Sequence, residues 1–307
     1  MDYANYKEKN FAKRNFKLTM TKTTEKSFAK LNLALDVISR LENGYHELSM
    51  IMQSIELHDI VTVELQTRNE ILISCNKDYI PTDERNVAYK AAAAFMDEFG
   101  ERFGVNIDIQ KSIPVGGGLA GGSSNAASVL IGLNKLTRFP FDNEVLMKIG
   151  KTVGADVPFC MAAQLAKEDF CAIAEGIGEQ LTPIENKIDA IYVLVKPKFS
   201  ISTKWAFTNL DIAKVSRHPN ISAVVSGIKD GDFNIVAKNT ANVLEGVVSA
   251  RYPLIEKLKN DMRSFGSKFC LMSGSGSTVF GAFDDKRKAY SAFEHFDKTQ
   301  EFAWIGK

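Results

Sequence analysis

The chain has 307 residues, enough for two domains or one large one. Apolar residues make up 45% and the net charge is +1, so a packed core is available and no bulk charge draws the chain to nucleic acid or to an anionic membrane. No apolar run reaches the roughly 18 residues of a membrane span, and the four cysteines form no C-x-x-C pair, which leaves free thiols in a reducing cytoplasm as the expectation.

Residues 1–26 are basic and polar and carry no apolar signal core, so they are read as a disordered extension, with Met20 as an alternative start. Residues 27–37 alternate as a strand, with Leu31, Leu33, Leu35 and Val37 on one face and Lys30, Asn32 and Asp36 on the other. That polar face is either solvated or part of a site. Asn43-Gly44 predicts a turn, followed by Tyr45 and His46. Further strands are expected over 60–65 and 71–74 with a polar turn between them. Asn86 is a candidate N-cap for a helix that carries Val87, Ala91, Ala94 and Phe95 and ends at Gly100.

A strand near Ile107 leads through Lys111 into Ile113-Pro114-Val115-Gly116-Gly117-Gly118-Leu119-Ala120-Gly121-Gly122-Ser123-Ser124, and then into a helix carrying Ala126, Val129, Leu130 and Leu133. Glycines at a strand-to-helix junction can take φ > 0 and line a concave nest of amides in front of the positive helix end. Such a nest suits a phosphate. Ser123 and Ser124 add hydroxyls for an oxyanion or Mg2+. Gly116, Gly118 and Gly121 also satisfy a dinucleotide fingerprint, with Asp142 about 20 residues on. However, Asp142 reads as the N-cap of a second helix, where a parallel strand is required. The stretch nearly spells a Walker A loop too, except that Ser123 stands in the lysine position, so a lysine must come from elsewhere. A flexible linker is disfavoured by the apolar flanks.

Gly154 is read as a helix end, Asp156 as a turn residue before Pro158, and 175–179 as another turn. From about 188 the pattern is strand 191–195, helices 204–209, 221–228, 234–243 and 252–265, strands 268–272 and 278–283, helix 286–296 and strand 302–305. Without the extra helices this is β-α-β-β-α-β, the ferredoxin-like arrangement. The Ser273-Gly274-Ser275-Gly276-Ser277 loop is either a tight turn or a second source of amides for an anion.

Three segments in this order, Phe28-Ala29-Lys30-Leu31-Asn32, the 114–127 loop and 273–277, resemble the motifs of the GHMP kinase superfamily. With Gly44-Tyr45-His46-Glu47 and Gly154-Ala155-Asp156-Val157-Pro158, the chain is similar, over roughly residues 27–283, to the 4-diphosphocytidyl-2-C-methyl-D-erythritol kinase family of non-mevalonate isoprenoid synthesis. The resemblance implies an α+β fold of two domains. An N-terminal mixed α/β nucleotide-binding domain (27–187) would face a C-terminal ferredoxin-like domain with extra helices (188–307) across an active-site cleft. It implies ATP with Mg2+, and phosphorylation of the 2-hydroxyl of a cytidine-diphosphate-linked methylerythritol, with no nucleic-acid or membrane partner; a GHMP kinase for another small alcohol and a catalytically silent GHMP-fold nucleotide-binding protein are the alternatives. Asp156 would be the general base and Lys30 its charge partner. Asn86, Lys111, Pro114, Gly116, Gly117, Gly118, Leu119, Ala120, Gly121, Gly122, Ser123 and Ser124 would hold ATP, with Ser123 or Ser124 on the metal. Asn32, Tyr45, His46, Thr203, Phe207, Gly274 and Gly276 would join Asp156 on the other substrate. Monomer and homodimer both stay open. The chain departs from the family at Phe28, where proline is usual, at 161–173, which lack a glycine-rich start, and in the extension.

Overall fold

Residues 21–42, 44–166 and 169–307 are described by a computed structural model of the chain. The extension up to residue 20, Asn43 of the expected turn, and residues 167 and 168 of the departing segment lie outside the described residues.

Strands β1 (Lys22–Arg40) and β2 (His46–Gln66) form a long antiparallel hairpin, shifted in register at Phe28/Ala29, Asn32/Ala34 and Val37/Ser39. β1 begins before the expected boundary. Residues 22–26, read as part of the extension, pair with β2 instead. Their charge hides the strand, because Lys22 and Lys26 face solvent while Glu25 leans inward and takes a 2.7 Å hydrogen bond from Lys135. β2 also starts earlier than the expected strand at 60–65, so His46 stands on a strand at its first residue.

Strand β3 (Ile71–Cys75) follows by a polar turn but does not pair with β2. Strand β4 (Gly104–Gln110) lies between them, parallel to β3 and antiparallel to β2. Strands β5 (Cys171–Gly176) and β6 (Gln180–Ile184) complete a six-stranded sheet ordered β3-β4-β2-β5-β6, with β1 on β2. Helix α1 (Val87–Phe99) is capped as read. The Asn86 side chain accepts from Ala88 N, and Gly100 closes the helix at φ 80. Such a cap contributes about 1 kcal/mol.

Helix α2 (Gly121–Leu136) is buried almost all round, packed under helices α1, α3 (Asn143–Val153) and α4 (Val157–Ala166). The Asp142 side chain caps α3 by accepting from Val145 N, and helix follows helix here with no parallel strand. A dinucleotide-binding unit is therefore absent at this junction.

In the second half, strands β7 (Ile191–Lys196), β8 (Phe269–Met272), β9 (Val279–Phe283) and β10 (Phe302–Gly306) form an antiparallel sheet ordered β10-β7-β9-β8. Helices α9 (Leu254–Ser264) and α10 (Lys286–Thr299) are its two crossovers. This is the ferredoxin-like arrangement. Helices α5 (Thr203–Thr208), α6 (Ile221–Asp230), α7 (Phe233–Asn239) and α8 (Glu245–Arg251) are inserted between β7 and α9. The expected helix at 234–243 stops at Asn239, because the following residues run extended beside β1. Leu35 N donates to Ala241 O at 2.9 Å and Val243 N to Leu35 O at 3.1 Å.

β1 is the seam of the molecule. Residues 29–37 are all buried, their apolar members packed with residues of the C-terminal half and their polar members Lys30, Asn32 and Asp36 enclosed as well. Lys30 and Asn32, only 5% and 1% exposed, are therefore enclosed at the junction of the two halves.

Candidate active site

A cleft of about 1440 Å3 opens along this junction. Its floor is the glycine stretch, residues 114–120, running from β4 into α2. Gly116, Gly118 and Ala120 take positive φ (65, 75 and 56), alternating with ordinary residues, which is the geometry of an anion nest. Three successive carbonyls of this loop are taken by donors from elsewhere. Gly117 O accepts from Thr278 N at 3.2 Å, Gly118 O from Ser273 Oγ at 2.9 Å, and Leu119 O from Lys30 N at 3.2 Å. The amides of Gly121, Gly122 and Ser123 begin a helix and find no acceptor among the described residues. Carbonyls are engaged on one side and amides are left for a ligand on the other.

The glycines also permit contact between the halves. A Cβ at Gly118 would stand 2.0 Å from Ser273 O, and one at Gly117 would stand 2.6 Å from Thr278 Oγ1. The loop from Ser273 is a turn that joins β8 to β9, and it also clasps the first glycine loop.

Lys30 reaches the cleft from β1 and donates to Asn32 Oδ1 at 2.6 Å. A Cβ on Gly274 would lie 3.3 Å from Lys30 Nζ, so glycine lets the second loop close over the ammonium. Asp156 stands half-buried at the start of α4, its carbonyl accepting from Cys160 N. Gln164 ties α4 to the first turn of α2, donating to Ser124 O at 3.0 Å and accepting from Ser128 Oγ at 2.9 Å. The base candidate and the glycine loop therefore share one support. Cys160 lies behind them. Burial pushes its thiol well above the usual range, the Asp156 carboxylate adds to that rise and the Lys30 ammonium opposes it, so both charges act on one buried point. The His46 and Phe207 rings, which also line the cleft, face each other with centroids 5.2 Å apart.

Residues 86–164 match the family described as GHMP kinases N terminal domain, and residues 224–300 match GHMP kinases C terminal. A Clostridium perfringens protein named 4-diphosphocytidyl-2-C-methyl-D-erythritol kinase is 48% identical over 80% of this chain and 83% of its own length. A Clostridium novyi protein of the same name is 43% identical over 83% and 89%. The chain belongs to the 4-diphosphocytidyl-2-C-methyl-D-erythritol kinase family of GHMP kinases.

A crystal structure of a 4-(cytidine 5'-diphospho)-2C-methyl-D-erythritol kinase superposes with TM-score 0.77 at 30% identity, covering 92% of this chain and 98% of that one. Homoserine kinase from Cytophaga hutchinsonii, at 16% identity and TM-score 0.71 over 96% and 97%, shares the fold. The GHMP two-domain fold and the class of ATP-dependent kinase expected from the motifs are thereby shown.

In this kinase the cleft gathers nearly every residue singled out from the sequence. Lys30, Asn32, Tyr45, His46, Asn86, Lys111, Pro114, Gly116 to Ser123, Asp156, Thr203, Phe207 and Gly274 all line it. Two do not. Ser124 is wholly buried, its hydroxyl held by Gln164, because the next residue of a helix turns by about 100° from Ser123. Gly276 faces the C-terminal core, where a Cβ would meet Met272 Sδ at 2.5 Å. The Lys30 ammonium donates to Asn32 and makes no direct bond to Asp156.

Arg40, Lys204 and Ser275 line the cleft and were missed by the sequence reading. Arg40 could have been found from the hairpin, since it stands opposite His46 in register. Ser275, 2.9 Å from the Thr203 hydroxyl, becomes visible only on folding.

Among the described residues no helix is long and apolar enough to cross a membrane, and no group of three or more His, Cys, Asp or Glu could hold a metal.

Proposed function

We propose that the protein transfers the γ-phosphoryl group of ATP to the 2-hydroxyl of 4-diphosphocytidyl-2-C-methyl-D-erythritol. The observation that carries this reading is that one cleft is lined by an amide nest, by Asp156 and Lys30, and by the His46–Phe207 pair. The nest and the N-terminus of α2 hold the ATP phosphates. The rings of Tyr45 and Phe207 take the cytosine face while His46 reads its polar edge. Asn32, Thr203 and Gly274 line the same cleft and would contact the diphosphate and the sugar alcohol.

Asp156 accepts the proton of the attacking hydroxyl. Its carboxylate has no hydrogen-bonding partner among the described side chains, so it is free to accept. Lys30, oriented by Asn32, supplies positive charge toward the transferring phosphoryl and lends the loop the lysine it lacks. Mg2+ takes few protein ligands when it rides on phosphate oxygens. Ser123 fits that requirement with one hydroxyl at the cleft, beside the turn that carries Asp156, since a Cβ on Gly154 would lie 3.8 Å from Ser123 Oγ. Bound there, the ion would neutralise phosphate charge. Asn86 and Lys111 border the nucleotide end, and monomer and homodimer serve this chemistry equally.

The test is ATP consumption with Mg2+ and 4-diphosphocytidyl-2-C-methyl-D-erythritol, with wild type and Asp156→Asn side by side. The wild type is expected to turn over. The variant should bind ATP normally and lose roughly two to four orders of magnitude in kcat. Near-normal turnover by Asp156→Asn would remove Asp156 as the base, and wild-type turnover of a different alcohol alone would remove the substrate.

A further inference from the structure

Asp59, on β2, is wholly buried, and sequence alternation gives it no role. Each of its carboxylate oxygens accepts two hydrogen bonds. Oδ1 takes Ser112 N at 2.7 Å and Ile113 N at 2.8 Å, the two amides where the chain leaves β4 for the glycine loop. Oδ2 takes Asn125 Nδ2 at 2.9 Å, from the first turn of α2, and the Lys111 ammonium. Asn125 closes the circuit, with Oδ1 accepting from Lys111 Nζ at 3.0 Å and Nδ2 donating to Ser27 Oγ at 2.9 Å.

We infer that Asp59 is a positioning residue for ATP, tying both ends of the glycine loop to one point so that its amides keep the spacing a phosphate requires. The inference rests on the reading of residues 116–123 as the phosphate site. A nest of backbone amides has no side chain to adjust its shape, so its geometry depends on how its two ends are held. Here the entry, at Ser112 and Ile113, and the exit, at Asn125, share one carboxylate. The same carboxylate neutralises Lys111, whose amine lies 3.0 Å from where a Cβ on Gly121 would stand. It therefore fixes a cation directly beneath the start of α2. Lys111 lines the cleft and Asp59 does not, so the pair turns its positive end to the ligand.

Asp59→Asn keeps the shape and one acceptor oxygen but turns an NH2 toward two donors, Lys111 Nζ and Asn125 Nδ2. Asn125→Ala releases the exit alone and leaves the ion pair. Both variants would be compared with wild type by calorimetric titration with ATP, by KM for ATP and for the alcohol, and by thermal melting. The expected result is a KM and Kd for ATP raised about 10- to 100-fold, with the KM for the alcohol within about twofold. Should Asp59→Asn fail to fold, Asn125→Ala decides by the same ratio. Unchanged ATP affinity in a folded variant overturns the inference, as does a parallel loss in both KM values that tracks the unfolded fraction. If the wild type binds no ATP, the phosphate-loop reading fails and takes the inference with it; if it binds ATP and the variants match it, the inference alone fails.

Discussion

His46 faces Arg40 across the hairpin, and its surroundings set its proton. Burial, and then the Arg40 charge, lower the imidazole below its ordinary value. A lowered pKa favours the neutral ring, so a contact that needs neutral His46 survives as pH falls past the usual histidine range and is lost only below it. The KM for the alcohol is expected to stay flat from about pH 8 to about pH 6.5 and to rise only under more acid conditions. Arg40→Gln removes the smaller of the two causes and should move that acid limb to higher pH. A limb at the same pH in both proteins would leave Arg40 without influence on the ring. At this scale the motif residues were legible only in combination: Lys30, His46 and Asp156 each have an ordinary structural reading alone, their order along the chain pointed to a common site, and the fold brings all three to one cleft. Asn125 lay inside the quoted motif without a role, because its partners Asp59 and Ser27 are far away in sequence.

Among the elements, the glycine loop carries the sharpest prediction. Gly118 combines φ 75 with a Cβ position 2.0 Å from Ser273 O, so alanine there is strained by its backbone and obstructed by the second loop at once. Gly118→Ala is expected to weaken ATP binding by about tenfold or more and to lower the melting temperature. Gly246→Ala, in helix α8 with no atom near its Cβ, is the control and should keep full activity. Equal ATP affinity for Gly118→Ala and the control would show that the clasp between the loops does not shape the nest. The loop and its junction with a helix were legible because glycine, proline and apolar spacing are local signals. The strand at 22–26 was not, because its charged residues hide a pairing that only β2 reveals.

Over the whole molecule, the two halves are joined through β1, whose Leu35 bridges to the backbone at Asn242, and the Asn242 side chain braces the C-terminal half behind that join. This buried side chain donates at 2.7 Å to both Met272 O and Gly274 O and accepts from Leu244 N at 3.0 Å. Asn242→Ala leaves two carbonyls beside the second loop unpaired, at a cost of about 2–3 kcal/mol, read as a lower denaturation midpoint. Because Gly274 also borders Lys30, the variant should lose kcat as well as stability. An unchanged midpoint would show that water replaces the amide at no cost.

The amino-acid sequence alone determined what depends on neighbours in the chain: the caps at Asn86 and Asp142, the glycine nest entering a helix, the ferredoxin-like order of the second half, and the family motifs. Only the tertiary structure decided which of two adjacent serines meets the cleft, that Lys30 rests on Asn32, that both faces of β1 are covered, and that Asp59 holds the loop from below. The division is physical. Backbone periodicity and turn chemistry act over a few residues, whereas the partner of a buried polar group is whatever folding brings beside it. The bond from Asp59 to Asn125 spans 66 residues, beyond the reach of any local pattern.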